Sequence, residues 1–172
     1  MNNNLINDNK KNINDINNNK EIKYYNGDRY VGQVLNGLKE GKGIYYTNKG
    51  DRLEGNFKNI KIEGKAIMYG KNGNLYAGDW KEDKMDGKGI IYYISGNIYD
   101  GDFRNNKREG KGKFYFNNGD RYEGDWRNNK REGKGIFYFN NGNRMMGDYL
   151  NNNPKGKHVV LEKNGDVYVE NY

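Results

Sequence analysis

The sequence predicts an all-β fold, an elongated and curved single-layer antiparallel meander of β-hairpins. Aromatic and apolar residues alternate with period two along each unit, as they do in strands. Each full unit also holds three to five glycines, which at about 1 kcal/mol each exclude a helical array. Such units bury surface against their neighbours in a stack. The period itself is 23 residues, marked by Gly27, Gly50, Gly73, Gly96, Gly119, Gly142 and Gly165.

The chain divides into two regions at the first of these glycines. Residues 1–26 are rich in asparagine and lack apolar periodicity, so we expect a disordered tail, with a short helix around Ile13 and Ile16 as an alternative. Residues 27–172 form the array, with six full units and a partial seventh unit that starts at Gly165.

The fifth unit shows how the pattern is read. Tyr122, Gly124 and Trp126 share one face of a first strand, and residues 136–139 form a second strand. The polar residues 127–132 between them are interpreted as a six-residue loop. Asn118-Gly119 predicts a two-residue type I′ turn into the unit, because that turn needs positive φ at both positions.

A two-residue turn fixes the register of the strands that it joins. It predicts that Tyr122 faces Tyr115. Further along the same strands, Gly124 would face Lys113 and Trp126 would face Lys111. One sheet face would then carry a tyrosine ladder, glycines covered by facing side chains, and a lysine beside each Trp or Phe, although a bulge would invert this parity. The same rule at Ser95-Gly96 predicts the pairs Tyr92 with Tyr99, Ile90 with Gly101 and Lys88 with Phe103.

Composition excludes several classes of protein. The chain has no cysteine, which excludes disulfides and thiolate metal sites and fits a reducing compartment. No apolar stretch approaches the roughly 20 residues of a membrane span, and residues 1–5 are unlike a secretory signal. We therefore expect a cytoplasmic protein without cofactor or metal, peripheral at most to a membrane, the cytoskeleton or an axoneme.

Two motifs recur in register and resemble the MORN repeat, the "membrane occupation and recognition nexus". They are Tyr-x-Gly-x-Trp, as at Tyr122 to Trp126, and Gly-Lys-Gly, as at Gly133 to Gly135. The resemblance implies an open sheet with an aromatic groove, in adaptors that join membranes to cytoskeletal or ciliary structures, bind partner peptides or pair as antiparallel dimers. Departures from the motifs cluster towards the ends, at Val34, Leu53, Ala66, Met145, Pro154, His158 and Glu170.

Two other repeat families fit less well. Seven leucines cannot fill the ladder of a leucine-rich repeat array. Choline-binding hairpin repeats look shorter and richer in tryptophan.

Residues suited to catalysis are scarce, which argues against an enzyme. The chain has one serine, one threonine and one histidine, at Ser95, Thr47 and His158. A catalytic triad would need Ser95 and His158 to meet across more than two units of an extended array. His158 takes a glycine position of the repeat, so packing in a terminal cap is the favoured interpretation.

Two binding hypotheses remain, and nucleic acid is an unlikely third because the basic pairs of the repeats, Lys107-Arg108 and Lys130-Arg131, are each followed by a glutamate. The first is protein binding, to a partner peptide or a second copy, in a groove lined by Tyr30, Tyr76, Trp80, Tyr99, Phe103, Tyr122, Trp126 and Tyr149. The alternative is that these rings only support the sheet. The second hypothesis is binding of anionic phospholipids such as phosphoinositides through Lys42, Lys65, Lys88, Lys111, Lys134 and Lys157, although an acidic column two residues earlier opposes it.

Overall fold

A computed structural model describes residues 19–172 and places them in one open antiparallel sheet whose strands follow chain order. The predicted all-β single-layer meander is confirmed, with no helix among the described residues. The strands are β1 (Lys20–Lys23), β2 (Arg29–Leu35), β3 (Leu38–Tyr46), β4 (Arg52–Lys58), β5 (Lys61–Tyr69), β6 (Leu75–Lys81), β7 (Lys84–Tyr92), β8 (Ile98–Arg104), β9 (Lys107–Tyr115), β10 (Arg121–Arg127), β11 (Lys130–Tyr138), β12 (Arg144–Leu150), β13 (Asn153–Leu161) and β14 (Val167–Asn171).

Strand β1 lies inside the segment that was expected to be a tail. It pairs with β2, and Ile22 lies opposite Tyr30. The turn between them is closed by the Gly27 N–H, which donates to the Tyr24 carbonyl oxygen at 2.9 Å. A hairpin turn needs a strand on each side, so the sheet starts before Gly27. The remaining tail prediction, including the helix at Ile13 and Ile16, lies outside the described residues.

Both turns differ from those predicted, and the two-residue type I′ turn lies within the unit and not at the Asn-Gly between units. At Asn118-Gly119 the loop has three residues, closed by the Phe116 N–H donating to the Asp120 carbonyl oxygen at 2.9 Å, and φ is positive at Gly119 alone. This is a type I turn with a glycine bulge. Residues 127–132 do not form a six-residue loop. Asn128 and Asn129, with φ of 48° and 69°, make a two-residue type I′ turn between β10 and β11.

The three-residue turn shifts the register by one residue, so the predicted pairs are wrong. Tyr122 faces Phe114, Gly124 faces Gly112 and Trp126 faces Gly110. At the turn of Ser95-Gly96 the observed pairs are Ile91 with Tyr99, Gly89 with Gly101 and Gly87 with Phe103. Glycine therefore faces glycine, and the lysines lie on the other side of the sheet, away from the Trp and Phe rings.

The two sides of the sheet differ in chemistry. The side that carries Tyr122 and Trp126 is here called the aromatic face. The side that carries Lys111 opposite Asp125 is called the charged face. The buried hydrophobic core lies on the aromatic face. A sheet with one such face and no second layer must cover its core with its own side chains.

Candidate functional site

The eight rings predicted to line a groove do lie together on the aromatic face, but all are buried. Their exposed fractions run from 0% at Tyr30, Tyr99 and Tyr122 to 6% at Trp80. They interleave edge to face along the array, and Trp126 lies 5.1 Å from Tyr99 and 5.6 Å from Tyr122 between ring centroids. The expectation of an open groove lined by these rings is corrected, because they form the core of the sheet.

Each repeat tyrosine lies over the glycine pair of its own unit. A Cβ built on Gly124 would meet the Tyr122 hydroxyl at 2.4 Å, and one on Gly135 would meet the ring at the same distance. The Tyr122 hydroxyl donates to the Asp125 carbonyl oxygen at 3.1 Å. Burial raises the pKa of Tyr122 and raises that of Tyr30 to about 12. The paired glycines therefore provide the space in which the ring lies.

Basic side chains close the aromatic face from above. The Arg108 guanidinium carbon lies 4.4 Å from the centroid of the Trp126 ring and 5.5 Å from that of Phe114. Arg131 lies 5.4 Å from both Tyr122 and Tyr149, and burial lowers the pKa of its guanidinium. A guanidinium stacked on a ring gains cation–π attraction while its stem excludes water. These two arginines explain how the rings that they cover become buried in a single layer.

Two departures from the repeat occur as matched pairs. In one unit Leu53 takes the tyrosine position and Ala66 takes the second glycine position. Ala66 lies opposite Gly55, and its methyl group fills the space over that glycine. In another unit Met145 takes the tyrosine position, and His158 takes the glycine position opposite Gly147. In both units a smaller residue at the tyrosine position leaves room for a side chain at the glycine position.

His158 is buried between aromatic rings. It is fully buried, with Tyr149 and Tyr172 edge-on at 5.5 and 5.1 Å between ring centroids. Ser95 lies in the turn between β7 and β8, five strands or about 25 Å away. No group of three or more potential metal ligands occurs within residues 19–172.

A second row of rings is partly exposed, and the sequence reading did not single it out. We call Tyr93, Phe114, Phe116, Phe137 and Phe139 the aromatic stripe. Successive ring centroids lie 5.9, 4.7, 5.6 and 4.8 Å apart, so the five rings form one unbroken strip. Phe139 is 36% exposed, and the others are half-buried. The signal in the sequence is a pair of phenylalanines two residues apart, at 114 and 116 and again at 137 and 139.

The six lysines of the predicted lipid site form a column on the charged face. Three of them are paired across strands, Lys65 with Asp79 at 2.7 Å, and Lys88 with Asp102 and Lys111 with Asp125 at 2.5 Å each. A groove of about 840 Å³ runs here, lined by lysines and carboxylates over a floor of glycine backbone. The acidic column two residues before the lysines has a structural role, since each member accepts a backbone N–H of the next type I′ turn, for example Glu109 from Asn128 at 3.0 Å. Its members are Glu40, Glu63, Asp86, Glu109 and Glu132. Lysine charge on this face is therefore largely matched by carboxylates.

Together these features define a class of protein, a repeat array whose successive two-strand units are tied together by side-chain hydrogen bonds and, in most units, by interleaved rings. The family model for the MORN repeat matches residues 30–52, 54–75, 76–98, 99–121 and 122–144. The chain belongs to the MORN repeat family. A search of curated proteins found no match.

Two solved structures have a similar fold. The TCP domain of SAS-4 (dCPAP) from Drosophila melanogaster, in complex with a proline-rich motif of Ana2 (dSTIL), is 17% identical, with a TM-score of 0.57 over 90% of this chain and 84% of that one. The TCP10 domain of Danio rerio CPAP is 13% identical, with a TM-score of 0.56 over 87% and 70% of the two chains. At these identities the likeness shows a shared fold.

The described residues contain no helix with the length and apolar character that crossing a bilayer requires.

Proposed function

We propose that this protein is a non-catalytic scaffold that binds an extended, proline-containing segment of a partner protein along the aromatic stripe. The observation that carries the proposal is the unbroken strip of partly exposed rings from Tyr93 to Phe139. The similar SAS-4 domain was solved with a proline-rich motif, which supports this choice of partner.

The geometry suits such a segment. Grooves lined by aromatic side chains recognise polyproline II segments, which are already extended and lose little entropy on binding. The stripe runs from the end of β7 to the end of β11, four strand spacings or about 19 Å. At about 3.1 Å per residue, a polyproline II segment of roughly six residues spans that length.

The wider role belongs to the same proposal. A scaffold of this kind would link membrane-associated and cytoskeletal or axonemal structures in the cytoplasm, as the family resemblance suggests. Binding of anionic phospholipids through the lysine column remains the alternative prediction. Lipid binding would have to compete with the ion pairs that Lys65, Lys88 and Lys111 form with aspartates. Antiparallel self-association likewise stays a prediction.

The test compares rings on the two faces of the same strands. We expect a fluorescein-labelled proline-rich peptide to bind the wild-type protein and to lose affinity at least tenfold with Phe114→Ala and Phe137→Ala combined, since burying a ring is worth about 1.5–3 kcal/mol. The matched control is Tyr115→Ala with Tyr138→Ala, which removes two rings from the charged face of β9 and β11. Absence of binding to the wild-type protein, or equal loss in both double variants, would contradict the proposal.

A further inference from the structure

The aromatic stripe ends at a pocket where one ring of the repeat is missing. The position occupied by Tyr93, Phe116 and Phe139 in three successive units is Gly70 in the unit before them. A pocket of about 510 Å³ lies there on the aromatic face. Tyr93 lines it and is also the first ring of the stripe, so the pocket and the stripe are continuous.

The walls of the pocket are apolar and its rim is polar. Met68, Tyr76, Met85 and Ile91 line the interior, and Lys49, Asp51 and Lys71 lie at the edge. Methionine thioethers make favourable contacts with aromatic rings and adapt to their shape. The pocket is thus a gap in a row of rings, lined by side chains that suit a ring.

We propose that the Gly70 pocket receives one aromatic side chain from the partner segment that lies along the stripe. The inserted ring takes the place that Tyr93, Phe116 and Phe139 fill in their own units. This inference rests on the proposed function and adds a specificity rule to it, namely that the partner carries a Trp, Tyr or Phe next to its proline-containing segment.

The chain offers a variant that closes the pocket without disturbing the fold. Gly70 has no left-handed φ, and its N–H donates to the Asn74 carbonyl oxygen at 2.8 Å, as Phe116 does to Asp120 at 2.9 Å. A Cβ at Gly70 would meet the Asn72 side-chain oxygen at 2.6 Å, and that oxygen accepts the Asn74 N–H at 3.0 Å. The equivalent Asn118 oxygen accepts the Asp120 N–H at 3.0 Å in the unit that carries Phe116, so the same turn accommodates a ring at this position. Gly70→Phe therefore restores the ring of the repeat, and Gly70→Ala is the matched control that adds a Cβ but leaves the pocket open.

The first experiment follows methionine methyl groups by NMR while indole is added as the probe. We expect saturable shifts at Met68 and Met85 in the wild-type protein and in Gly70→Ala, and their loss in Gly70→Phe. Met145 and Met146, in β12, serve as internal controls that do not shift. Absence of saturable shifts in the wild-type protein, or the same shifts in Gly70→Phe, would overturn the pocket as an aromatic site.

The second experiment uses two proline-rich peptides that differ only in one flanking residue, tryptophan or alanine. We expect the tryptophan peptide to bind the wild-type protein at least about tenfold more tightly, and the difference to disappear in Gly70→Phe. Equal binding of both peptides, with the stripe double variant still impaired, would refute the pocket and leave the proposed function standing. Indole binding with no binding of either peptide would support the aromatic pocket and refute the proposed function.

Discussion

The indole Nε1 of Trp126 donates to the carbonyl oxygen of Gly112 at 3.2 Å. Trp80 occupies the same repeat position and is equally buried, yet its Nε1 has no acceptor among residues 19–172. The strand beside Trp80 carries Ala66 where the strand beside Trp126 carries Gly112. Two tryptophans in one repeat position thus differ by one hydrogen bond.

We expect Trp126→Phe to lower the free energy of unfolding by about 1 kcal/mol more than Trp80→Phe does. The first change removes a hydrogen bond, whereas the second removes a donor that was already unpaired. Urea denaturation of both variants followed by circular dichroism measures the difference. An equal or larger loss for Trp80→Phe would show that this hydrogen bond does not contribute to stability.

The tyrosine and the glycine pair beneath it are expected to depend on each other. Gly135→Ala places a Cβ 2.4 Å from the Tyr122 ring and should cost about 1–3 kcal/mol, as overpacking does. Adding Tyr122→Leu copies the natural combination of Leu53 with Ala66, so the double variant should be more stable than the sum of the single changes predicts. A double-mutant cycle by chemical denaturation gives this coupling. Additive effects would contradict the proposed fit of ring and glycines.

Ile60 is a β-branched residue with a φ of +67°, at the second position of a type I′ turn. The equivalent residue Asn129 accepts the Arg108 N–H through its side chain at 2.8 Å. Ile60→Asn relieves backbone strain and offers the same acceptor to Lys39, so we expect a gain in stability of about 1–2 kcal/mol. The melting temperature should rise accordingly, and the reverse change Asn129→Ile should lower it. A fall in stability for Ile60→Asn would refute this account.

Alkaline pH should destabilise the fold through its buried tyrosines. Burial raises the pKa of Tyr30 and of Tyr149 to about 12, above the value of about 10 in an unfolded chain. Their contribution to stability is therefore complete below about pH 10 and is lost as the pH rises towards 12. Denaturation midpoints measured across this range should fall as the pH rises. The midpoint of Tyr30→Phe should fall less steeply, because this variant has one titrating group fewer. An identical slope in the variant would contradict this origin.

Much of the fold follows from the sequence. The 23-residue spacing of the glycines, and the alternation around Tyr122, Gly124 and Trp126, are enough to predict strands, their order and a single sheet. The candidate site was only partly predictable. The predicted rings share one face, but whether a ring is open to solvent depends on side chains from neighbouring units, such as Arg108 above Trp126. The types and spacing of the residues do not show which side chains of neighbouring units will lie over a ring.

By itself, the sequence determined a one-dimensional array of hairpins, because a periodic pattern can be satisfied only by repeating the same local structure. Register and burial were decided by the tertiary structure. Asn118-Gly119 suits a two-residue or a three-residue turn, and a difference of one residue moves every side chain to the opposite face. The three-residue turn puts glycine opposite glycine, which lets the Tyr122 ring lie across the strands and leaves the aromatic stripe at the surface.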